Sequence, residues 1–239
     1  MNCFVMGASG GLGRALCHRL AVGGHELVIA SSDARDLNAL ASDLRLRWGA
    51  SVKTLEWDAS REGASKAMEG LEDPDGLFFP IGVVDTDDRG TLDPARAEEL
   101  VRANFLSIVE VVSRSLSAMR AGRGGVIVGF GSIASARGRG ANVVYAAAKR
   151  ALESYFESLR HACAGSGVFV QLYVLGYLDT TQASGRTKLF PKASPERLAE
   201  RVVRHLDRDV GVVYYPGYWR WVRLTLRATP WTLYRRISF

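Results

Sequence analysis

The sequence predicts an α/β fold: one doubly wound domain in which about seven parallel strands are flanked by helices. Short apolar runs of strand length alternate with segments whose apolar residues recur at helical spacing, as in β-α-β units. The runs are rich in Val, Ile and Leu, which is typical of parallel strands buried on both faces. At 239 residues, with 47% hydrophobic and 23% charged residues, the chain suffices for one full core.

The first half of the chain begins with a strand, Asn2–Met6, that ends at a glycine-rich turn. A helix follows from Gly11, and the next strand is predicted over Glu26–Ala30. Asp33 is a candidate N-cap for a second helix over Ala34–Trp48, because its carboxylate can accept N–H groups of the first turn. These elements form the first β-α-β unit.

Five further strands follow at intervals that leave room for crossover helices. They are predicted at Ser51–Trp57, Leu77–Ile81, Gly125–Gly129, Val168–Leu175 and Gly211–Tyr215. Helices are predicted from Pro94, capped by Asp93, to near Gly122, from about Asn142 to Ala164, and from Ser194 onward. Thr180–Ala193 has no clear period and is predicted to be a loop or lid.

The net charge of +6 is concentrated at the C-terminus. Lys and Arg number 31 and Asp and Glu 25, and five arginines with no acidic residue follow Asp209. Without those five, 26 basic residues face 25 acidic ones, so the body lacks the basic stripe that nucleic-acid binding requires. With no signal peptide and no membrane-length apolar run, the chain is predicted to be cytoplasmic.

The three cysteines, Cys3, Cys17 and Cys163, are far apart and form no C-x-x-C pair. In a chain without a signal peptide such a set predicts reduced, structural thiols. His161 lies near Cys163, but two ligands do not make a metal site. We therefore expect no metal.

A glycine-rich turn, Gly7-Ala-Ser-Gly-Gly-Leu-Gly13, lies between the first strand and the first helix. Glycines permit a tight turn and close approach to a pyrophosphate, while the helix N-terminus supplies N–H groups and a positive dipole. The spacing G-x-x-x-G-x-G differs from the common G-x-G-x-x-G fingerprint. Its position between strand and helix predicts dinucleotide binding by a Rossmann-type domain.

Tyr145 and Lys149 are four residues apart, so they lie on one face of a helix. The ordinary pKa of a tyrosine is ~10, and a neighbouring cation lowers it by favouring the phenolate. Ser132 follows the fifth strand, at the sheet edge where doubly wound folds bind ligands. Each residue alone has an ordinary structural explanation, but their spacing, together with the N-terminal glycines, predicts a catalytic group.

With these motifs the chain resembles the short-chain dehydrogenase/reductase family over nearly its whole length. The resemblance implies that Tyr145 donates or accepts the proton and that Ser132 hydrogen-bonds the substrate oxygen. It implies that Lys149 holds the nicotinamide ribose and favours ionisation of the phenol. Asn104, in V-R-A-N-F-L-S, matches the residue that completes the family's tetrad through a water relay.

The resemblance also implies an NAD(P) site. Asp58 matches the carboxylate that meets the adenine amino group. Leu178 and Thr180 lie in a stretch similar to the family's P-G-x-V-x-T, where Thr180 would contact the nicotinamide amide. The implied cofactor contacts are Gly7, Ser9, Gly11, Leu12, Gly13, Ser31, Ser32, Asp58, Gly82, Tyr145, Lys149, Leu178 and Thr180.

Two positions depart from the family pattern. Phe79-Pro-Ile-Gly82 stands where the family reads N-N-A-G, so the side-chain ties that steady the central sheet there must be replaced. Leu175 stands where the P-G motif has proline, which leaves the following loop less constrained. Neither departure touches the tetrad, so we expect an active enzyme.

The choice of cofactor depends on the end of the second strand, Ala30-Ser-Ser-Asp33. A carboxylate at this point favours NAD, because it binds the ribose 2′-OH and repels a 2′-phosphate. Ser31 and Ser32 occupy the discriminating positions and are neutral, while Arg14 and Arg35 are near in sequence. The pattern favours NADP and leaves NAD as the alternative.

Residues 217–239 are predicted to form a basic amphipathic tail beside an NAD(P)-binding domain over residues 1–216. Helical spacing puts Arg220, Arg223 and Arg227 on one face and Trp219, Trp221, Val222 and Leu226 on the other. Such a helix suits an interface with anionic lipid. The alternative is that this face packs over the pocket or in an oligomer interface.

The sequence thus predicts an NAD(P)H-dependent oxidoreductase that interconverts a carbonyl and a secondary alcohol. The tail resembles a branch of the family that acts in bacterial capsule and cell-envelope polysaccharide synthesis. A sugar-derived or polyprenyl-linked substrate is therefore expected, and Arg137 and Arg139 could contact it as an anion. The alternatives are a 3-oxoacyl or general carbonyl reductase and a non-catalytic, cofactor-sensing, membrane-associated partner.

We also expect a homodimer or homotetramer that pairs through the two helices flanking the middle of the sheet. The tail would bring the enzyme to the inner face of the cytoplasmic membrane as a peripheral protein.

Overall fold

The computed structural model describes residues 1–61, 63, 68–122, 124–179 and 190–237. Its strands are β1 Asn2–Met6, β2 Glu26–Ser31, β3 Val52–Glu56, β4 Gly76–Phe79, β5 Gly125–Ser132, β6 Val168–Leu175 and β7 Val212–Tyr215. They form one parallel sheet in the spatial order β3-β2-β1-β4-β5-β6-β7. The order reverses between β1 and β4, which is where sheets of this kind bind ligands.

Helices cover both faces of the sheet. They are α1 Gly11–Val22, α2 Ala34–Trp48, α3 Pro94–Val101, α4 Ser107–Ala121, α5 Val143–Ala162, α6 Pro195–Val203, α7 Trp219–Ala228 and α8 Trp231–Tyr234. The predicted class, a doubly wound α/β sheet of seven parallel strands, is confirmed.

The alternation of side chains along each strand divides the core into two layers. In β1, Cys3 and Val5 point to one face, and Phe4 and Met6 point to the other; none is more than 2% exposed. The first layer is completed by α1, α2 and α6, and the second by α4 and α5. Because both faces are covered, the central strands are mostly apolar.

Polar caps fix where two of the helices begin. Asp33 accepts the N–H groups of the residues two and three positions further on, at 2.9 and 3.2 Å. Asp93 accepts the Ala95 N–H at 2.9 Å, and Pro94 occupies the first helical position, where its missing N–H costs nothing. Both caps were predicted from the sequence.

Several predicted boundaries move in the structure, and three of the differences lie near the cleft. A π-helical turn, Arg102–Leu106, divides the long helix predicted from Pro94 into α3 and α4. β5 continues three residues beyond its predicted end because Ser132 still pairs with Leu175 of β6. β4 ends at Phe79, before a proline that cannot donate to the ladder.

The C-terminal tail packs against the body. Trp219 is 3% exposed, and a Cβ on Gly176 would overlap its indole nitrogen. The Trp219 ring lies 5.7 Å from the Tyr177 ring and 4.8 Å from the Phe190 ring, measured between centroids. The predicted apolar face is therefore split, since Trp221 is 60% exposed. Packing is continuous across the predicted division at residue 216.

The three cysteines are buried free thiols, and burial raises the pKa of Cys3 to about 12. Across the described ranges, no group of His, Cys, Asp and Glu is arranged to hold a metal ion. Within the same ranges, no helix has the length and apolar character to cross a membrane.

Candidate active site

A cleft of about 500 Å³ opens at the carboxyl ends of the strands. The predicted site residues that line it are Gly7, Ser9, Gly11, Leu12, Ser31, Ser32, Asp58, Gly82, Ser132, Arg139, Tyr145, Lys149 and Leu178. A larger groove of about 1110 Å³ lies between α5, β6, β7 and α7, and its lining contains none of the predicted site residues that the structure describes. The smaller cleft is therefore the candidate site.

The glycine-rich turn allows the backbone to approach a ligand closely. Gly7 has a φ of +93°, and a Cβ there would lie 3.0 Å from Ile81 Cα. A Cβ on Gly13 would overlap the Gly7 carbonyl oxygen, so α1 packs on the turn only with glycine at this position. α1 begins after Gly10 with no side-chain cap and no acidic residue in its first turn. Its N–H groups and dipole fit a pyrophosphate.

The end of β2 presents neutral hydroxyls and a nearby cation. The Ser9 and Ser31 hydroxyl oxygens are 2.5 Å apart, and Ser32 is exposed beside them. The Arg14 guanidinium donates to the Ser9 carbonyl oxygen at 2.8 Å and pairs with an acidic residue of α2 at 3.0 Å. Asp33 is occupied as the cap of α2, so it does not compete for a ribose at this position.

Asp58 lies just after β3 on the wall of the cleft. Its Oδ1 accepts the Ser60 N–H at 2.9 Å and the Ser60 hydroxyl at 2.7 Å. Partial burial raises the pKa of the Asp58 carboxyl, but the hydrogen bonds from Ser60 and the nearby charge of Arg61 together hold the pKa below its usual range. The carboxylate is therefore ionised and oriented to accept a further hydrogen bond.

Lys149 is the buried cation of the site. It is 2% exposed, and its Nζ donates to the carbonyl oxygens of Ile81 at 2.9 Å and Phe130 at 3.1 Å. Burial lowers the pKa of Lys149 to about 7. The Nζ lies 6.0 Å from the centroid of the Tyr145 ring, so the two side chains share one face of α5, as the spacing predicted.

Ser132, the last residue of β5, begins the 3₁₀ turn Ile133–Ser135. Its Oγ accepts the Ala134 N–H at 3.2 Å, which leaves the hydroxyl proton to be donated to another acceptor. The Ser132 carbonyl oxygen accepts the Ser135 hydroxyl at 2.5 Å. The Ser132 hydroxyl and the Tyr145 phenol line the same cleft.

Asn104 is fully buried within the π-helical turn. Its Nδ2 donates to the Val83 and Leu100 carbonyl oxygens at 2.8 Å, and its Oδ1 accepts the Val83 N–H at 3.1 Å. A Cβ on Gly82 would lie 4.0 Å from both Asn104 Oδ1 and Lys149 Nζ. These bonds to residue 83, with the Lys149 bond to residue 81, anchor the segment after β4 through its backbone groups.

The two arginines predicted to contact substrate have different positions. Arg139 lines the cleft. Arg137 holds the tail: its Nη1 donates to the Leu226 carbonyl oxygen at 2.7 Å and to the Thr229 carbonyl oxygen. Its guanidinium also lies 4.1 Å from the centroid of the Tyr234 ring. Arg137 is absent from the lining of the cleft, and its contact with substrate stays a prediction.

The segment after β6 completes the cleft through Leu178, which bridges in parallel to Ala193. Thr180, the predicted contact of the nicotinamide amide, lies outside the described residues. So does most of the loop or lid predicted over residues 180–193.

Two buried acidic residues near the site were not predicted. Asp88 is fully buried; its Oδ2 accepts the Val144 N–H at 2.7 Å and its carbonyl oxygen accepts the Asn142 N–H at 2.8 Å. It therefore caps the helix that carries the site tyrosine. Glu153 is 8% exposed and follows Lys149 by four residues. The four-residue spacing places Glu153 on the same helix face as Lys149, and this could have been predicted from the sequence. Asp88 lies in a loop, where no helical or strand periodicity indicates burial.

The fold and the cleft define a class of protein: a dinucleotide-dependent oxidoreductase with a Ser, Tyr and Lys at its site. Residues 2–189 match the family model described as short chain dehydrogenase. The chain is 30% identical to an uncharacterized oxidoreductase of Mycobacterium tuberculosis, over 98% of this chain and 95% of that one. The chain belongs to the short chain dehydrogenase family and acts on alcohol and carbonyl groups.

The chain is also similar to a reductase of known substrate class and to a solved structure with bound NADPH. The chain is 32% identical to a very-long-chain 3-oxoacyl-CoA reductase of Podospora anserina, over 75% of this chain and 55% of that one. The solved structure of a short-chain dehydrogenase from Sphingobium yanoikuyae in complex with NADPH matches it with a TM-score of 0.83 and 22% identity. That match covers 99% of this chain and 96% of the other, and it shows the fold.

Stability should depend on pH through Lys149. Its pKa is about 7 in the folded chain against an ordinary value of 10.5, so between these values the unfolded chain binds more protons. Lys149 should therefore raise the free energy of unfolding of the cofactor-free protein between pH 7 and about 9. Above about 9 the buried Cys3 and Cys17 oppose this rise, because burial raises the pKa of both thiols and the unfolded chain loses these protons first. Lys149→Met should flatten this rise in denaturant titrations.

Lys53→Met is the matched control, because the Lys53 side chain is 62% exposed and its removal should leave the rise unchanged. Parallel pH dependences of the wild type and Lys149→Met would contradict the burial of a titrating ammonium.

Proposed function

We propose that this chain uses NADP(H) to interconvert a carbonyl and a secondary alcohol. The observation that carries the proposal is that Ser132, Tyr145 and Lys149 line one cleft with the uncapped N-terminus of α1. The glycine-rich turn and α1 would hold the pyrophosphate, Asp58 the adenine amino group, and Lys149 the nicotinamide ribose. When bound, the dinucleotide supplies or accepts the hydride.

The protein's own contribution is the movement of a proton. In reduction, Tyr145 gives its phenolic proton to the substrate oxygen, while Ser132 donates a hydrogen bond to the same oxygen. The Lys149 ammonium, 6.0 Å from the ring centroid, stabilises the negative charge that the phenol acquires. Asn104 would support return of the proton from solvent through water. Oxidation reverses each transfer.

For the substrate we propose first a sugar-derived or polyprenyl-linked carbonyl of bacterial surface polysaccharide synthesis, and second a 3-oxoacyl thioester. Arg139 on the cleft wall supports the first, because a guanidinium suits a substrate phosphate. Tyr177, an aromatic lining residue, and the likeness to a 3-oxoacyl-CoA reductase support the second. Comparing NADPH oxidation with keto-sugar phosphates and with 3-oxoacyl thioesters separates the two.

We also propose a homodimer or homotetramer paired through α4 and α5. Ala147 is exposed and Ala151 half-buried on α5, and small side chains of this kind allow two helices to approach closely.

Tyr145→Phe should lower kcat about 10²- to 10⁴-fold, the usual contribution of a positioned proton donor. Affinity for NADPH should change little, since the pyrophosphate is held elsewhere. Tyr155→Phe is the matched control on the same helix, because Tyr155 packs on Phe105 and Phe156 and should keep wild-type turnover. Steady-state NADPH oxidation measures both, and near-native turnover by Tyr145→Phe would exclude the mechanism.

NADPH should bind more tightly than NADH, because the end of β2 carries hydroxyls and Arg14 lies beside it. Ser32→Asp should reverse the order by placing a negative charge next to the 2′-phosphate. Ser32→Ala, which adds no charge, should keep the wild-type order. Titration calorimetry decides, and a tenfold preference of the wild type for NADH, ~1.4 kcal/mol, would contradict the assignment.

We further propose that the outer surface of the tail contacts anionic membrane lipid. The inner face of α7 packs against the body, and Trp219 on that face is 3% exposed. Trp219 is therefore not part of the proposed lipid-contacting surface. The outer apolar residues are Trp221, Leu224, Trp231 and Leu233, which are 60%, 58%, 64% and 56% exposed. Exposed Trp and Leu interspersed with arginines suit the interface of an anionic bilayer.

The double variant Trp221→Ser/Trp231→Ser should bind vesicles of mixed phosphatidylserine and phosphatidylcholine more weakly than the wild type. Raising the salt to about 1 M should weaken wild-type binding as well, because it shortens the Debye length to ~3 Å. Trp48→Ser removes an exposed tryptophan from α2 and should bind as the wild type does. Equal co-sedimentation of all three proteins, or none at low salt, would refute the contact.

A further inference from the structure

A buried ion pair joins α7, the first helix of the tail, to α5, the helix that carries Tyr145 and Lys149. The Arg223 Nη1 and Nη2 donate to Glu153 Oε1 and Oε2 at 2.9 and 2.8 Å. The two side chains are 12% and 9% exposed. Two parallel N–H···O bonds in a site shielded from water give this pair a fixed orientation.

Glu153 also reaches the end of β5. The Ser135 hydroxyl lies within hydrogen-bond distance of both Glu153 Oε1 and the Ser132 carbonyl oxygen, so its single proton is held between two acceptors. A Cβ on Gly131 would lie 3.6 Å from Glu153 Oε1. The carboxylate is therefore packed directly against the residues that precede and follow Ser132.

Other tail contacts reach the same part of the cleft. Arg137, in the loop between Ser132 and Tyr145, is held by carbonyl oxygens at the end of α7 and just beyond it. Trp219 covers Gly176, in the segment that lines the cleft after β6. The tail thus touches each of the three segments that surround the predicted reacting groups.

We propose that Arg223 and Glu153 are positioning residues through which α7 fixes the Ser132 turn relative to the helix that carries Tyr145. This inference rests on the function proposed above. Ser132 and Tyr145 come from different elements and must both reach one substrate oxygen. A shift of about 1 Å between such groups costs up to ~10²-fold in rate. The ion pair holds the two elements together at the point where they meet.

A purely structural role makes a different prediction. The desolvation cost of a buried ion pair can offset its attraction, and removal of one partner destabilises the fold. Glu153 keeps a second partner when Arg223 is removed, because Arg150 Nη1 donates to Glu153 Oε2 at 3.1 Å. If destabilisation were the only effect, variants would melt at lower temperature while kcat, measured well below the melting midpoint, stayed unchanged.

The variants are Arg223→Met, the nearly isosteric Glu153→Gln, and the two combined. Arg227→Met is the matched control, because Arg227 is an exposed arginine one turn further along α7 and its removal changes the charge equally. Each protein is assayed by NADPH oxidation at a temperature well below its own melting midpoint. The substrate is the keto-sugar phosphate or 3-oxoacyl thioester that the wild type reduces fastest. Hydrogen exchange is followed at the Ala134 and Ala136 amides, which donate within the Ser132 turn.

We expect Arg223→Met and Glu153→Gln each to lower kcat about tenfold or more with the NADPH affinity unchanged. The double variant should be no slower than the slower single variant, because both residues act through one contact. Exchange at Ala134 and Ala136 should be faster in these variants and unchanged in Arg227→Met. The proposal is overturned if both single variants keep the wild-type kcat. It is also overturned if both keep the wild-type exchange rates at Ala134 and Ala136.

If the wild type reduces none of the carbonyls, the proposed function fails. The exchange comparison then decides by itself whether the ion pair holds the turn.

Discussion

The Lys149 ammonium connects the three parts of the chain that make up the site. It projects from α5 and donates to carbonyl oxygens after β4, at Ile81, and near the end of β5, at Phe130. Few cations are buried to this extent, because desolvation disfavours the charged form. Two backbone acceptors at bonding distance offset part of that cost. They also fix the helix that carries Tyr145 against the sheet edge, so the position of the phenol follows from the bonds of its neighbour.

The remaining parts of the site depend on the same edge of the sheet. Parallel strands bring their carboxyl ends together, so the glycine-rich turn, Asp58 and Ser132 meet although they are far apart in sequence. The π-helical turn places Asn104 where it can bond residue 83, and Asp88 caps the first turn of α5. The polar groups that orient the catalytic helix are thus backbone groups and buried side chains.

Much of the fold could be predicted because buried parallel strands and amphipathic helices leave periodic patterns in the chain. The doubly wound parallel sheet and the placement of Tyr145 and Lys149 on one helix face follow from those patterns. The bonds of Arg137 to the tail could not be predicted, because a loop arginine has no period and its partners lie about ninety residues away. Trp219 could not be told from Trp221 by helical spacing alone, since which side of a helix is covered depends on the body it meets. The Glu153–Arg223 pair was hidden for the same reason.

Burial of Lys149 organises the site, and the protonation of its ε-amino group can be followed directly. The measurement is an NMR titration of the Lys149 side chain in isotope-labelled, cofactor-free protein, assigned by comparison with Lys149→Met. We expect a midpoint near pH 7, well below the ordinary value of 10.5, because the group is shielded from water. A midpoint at the ordinary value would mean that the ammonium is solvated, and it would contradict the arrangement on which the cleft, the phenol and the proposed chemistry depend.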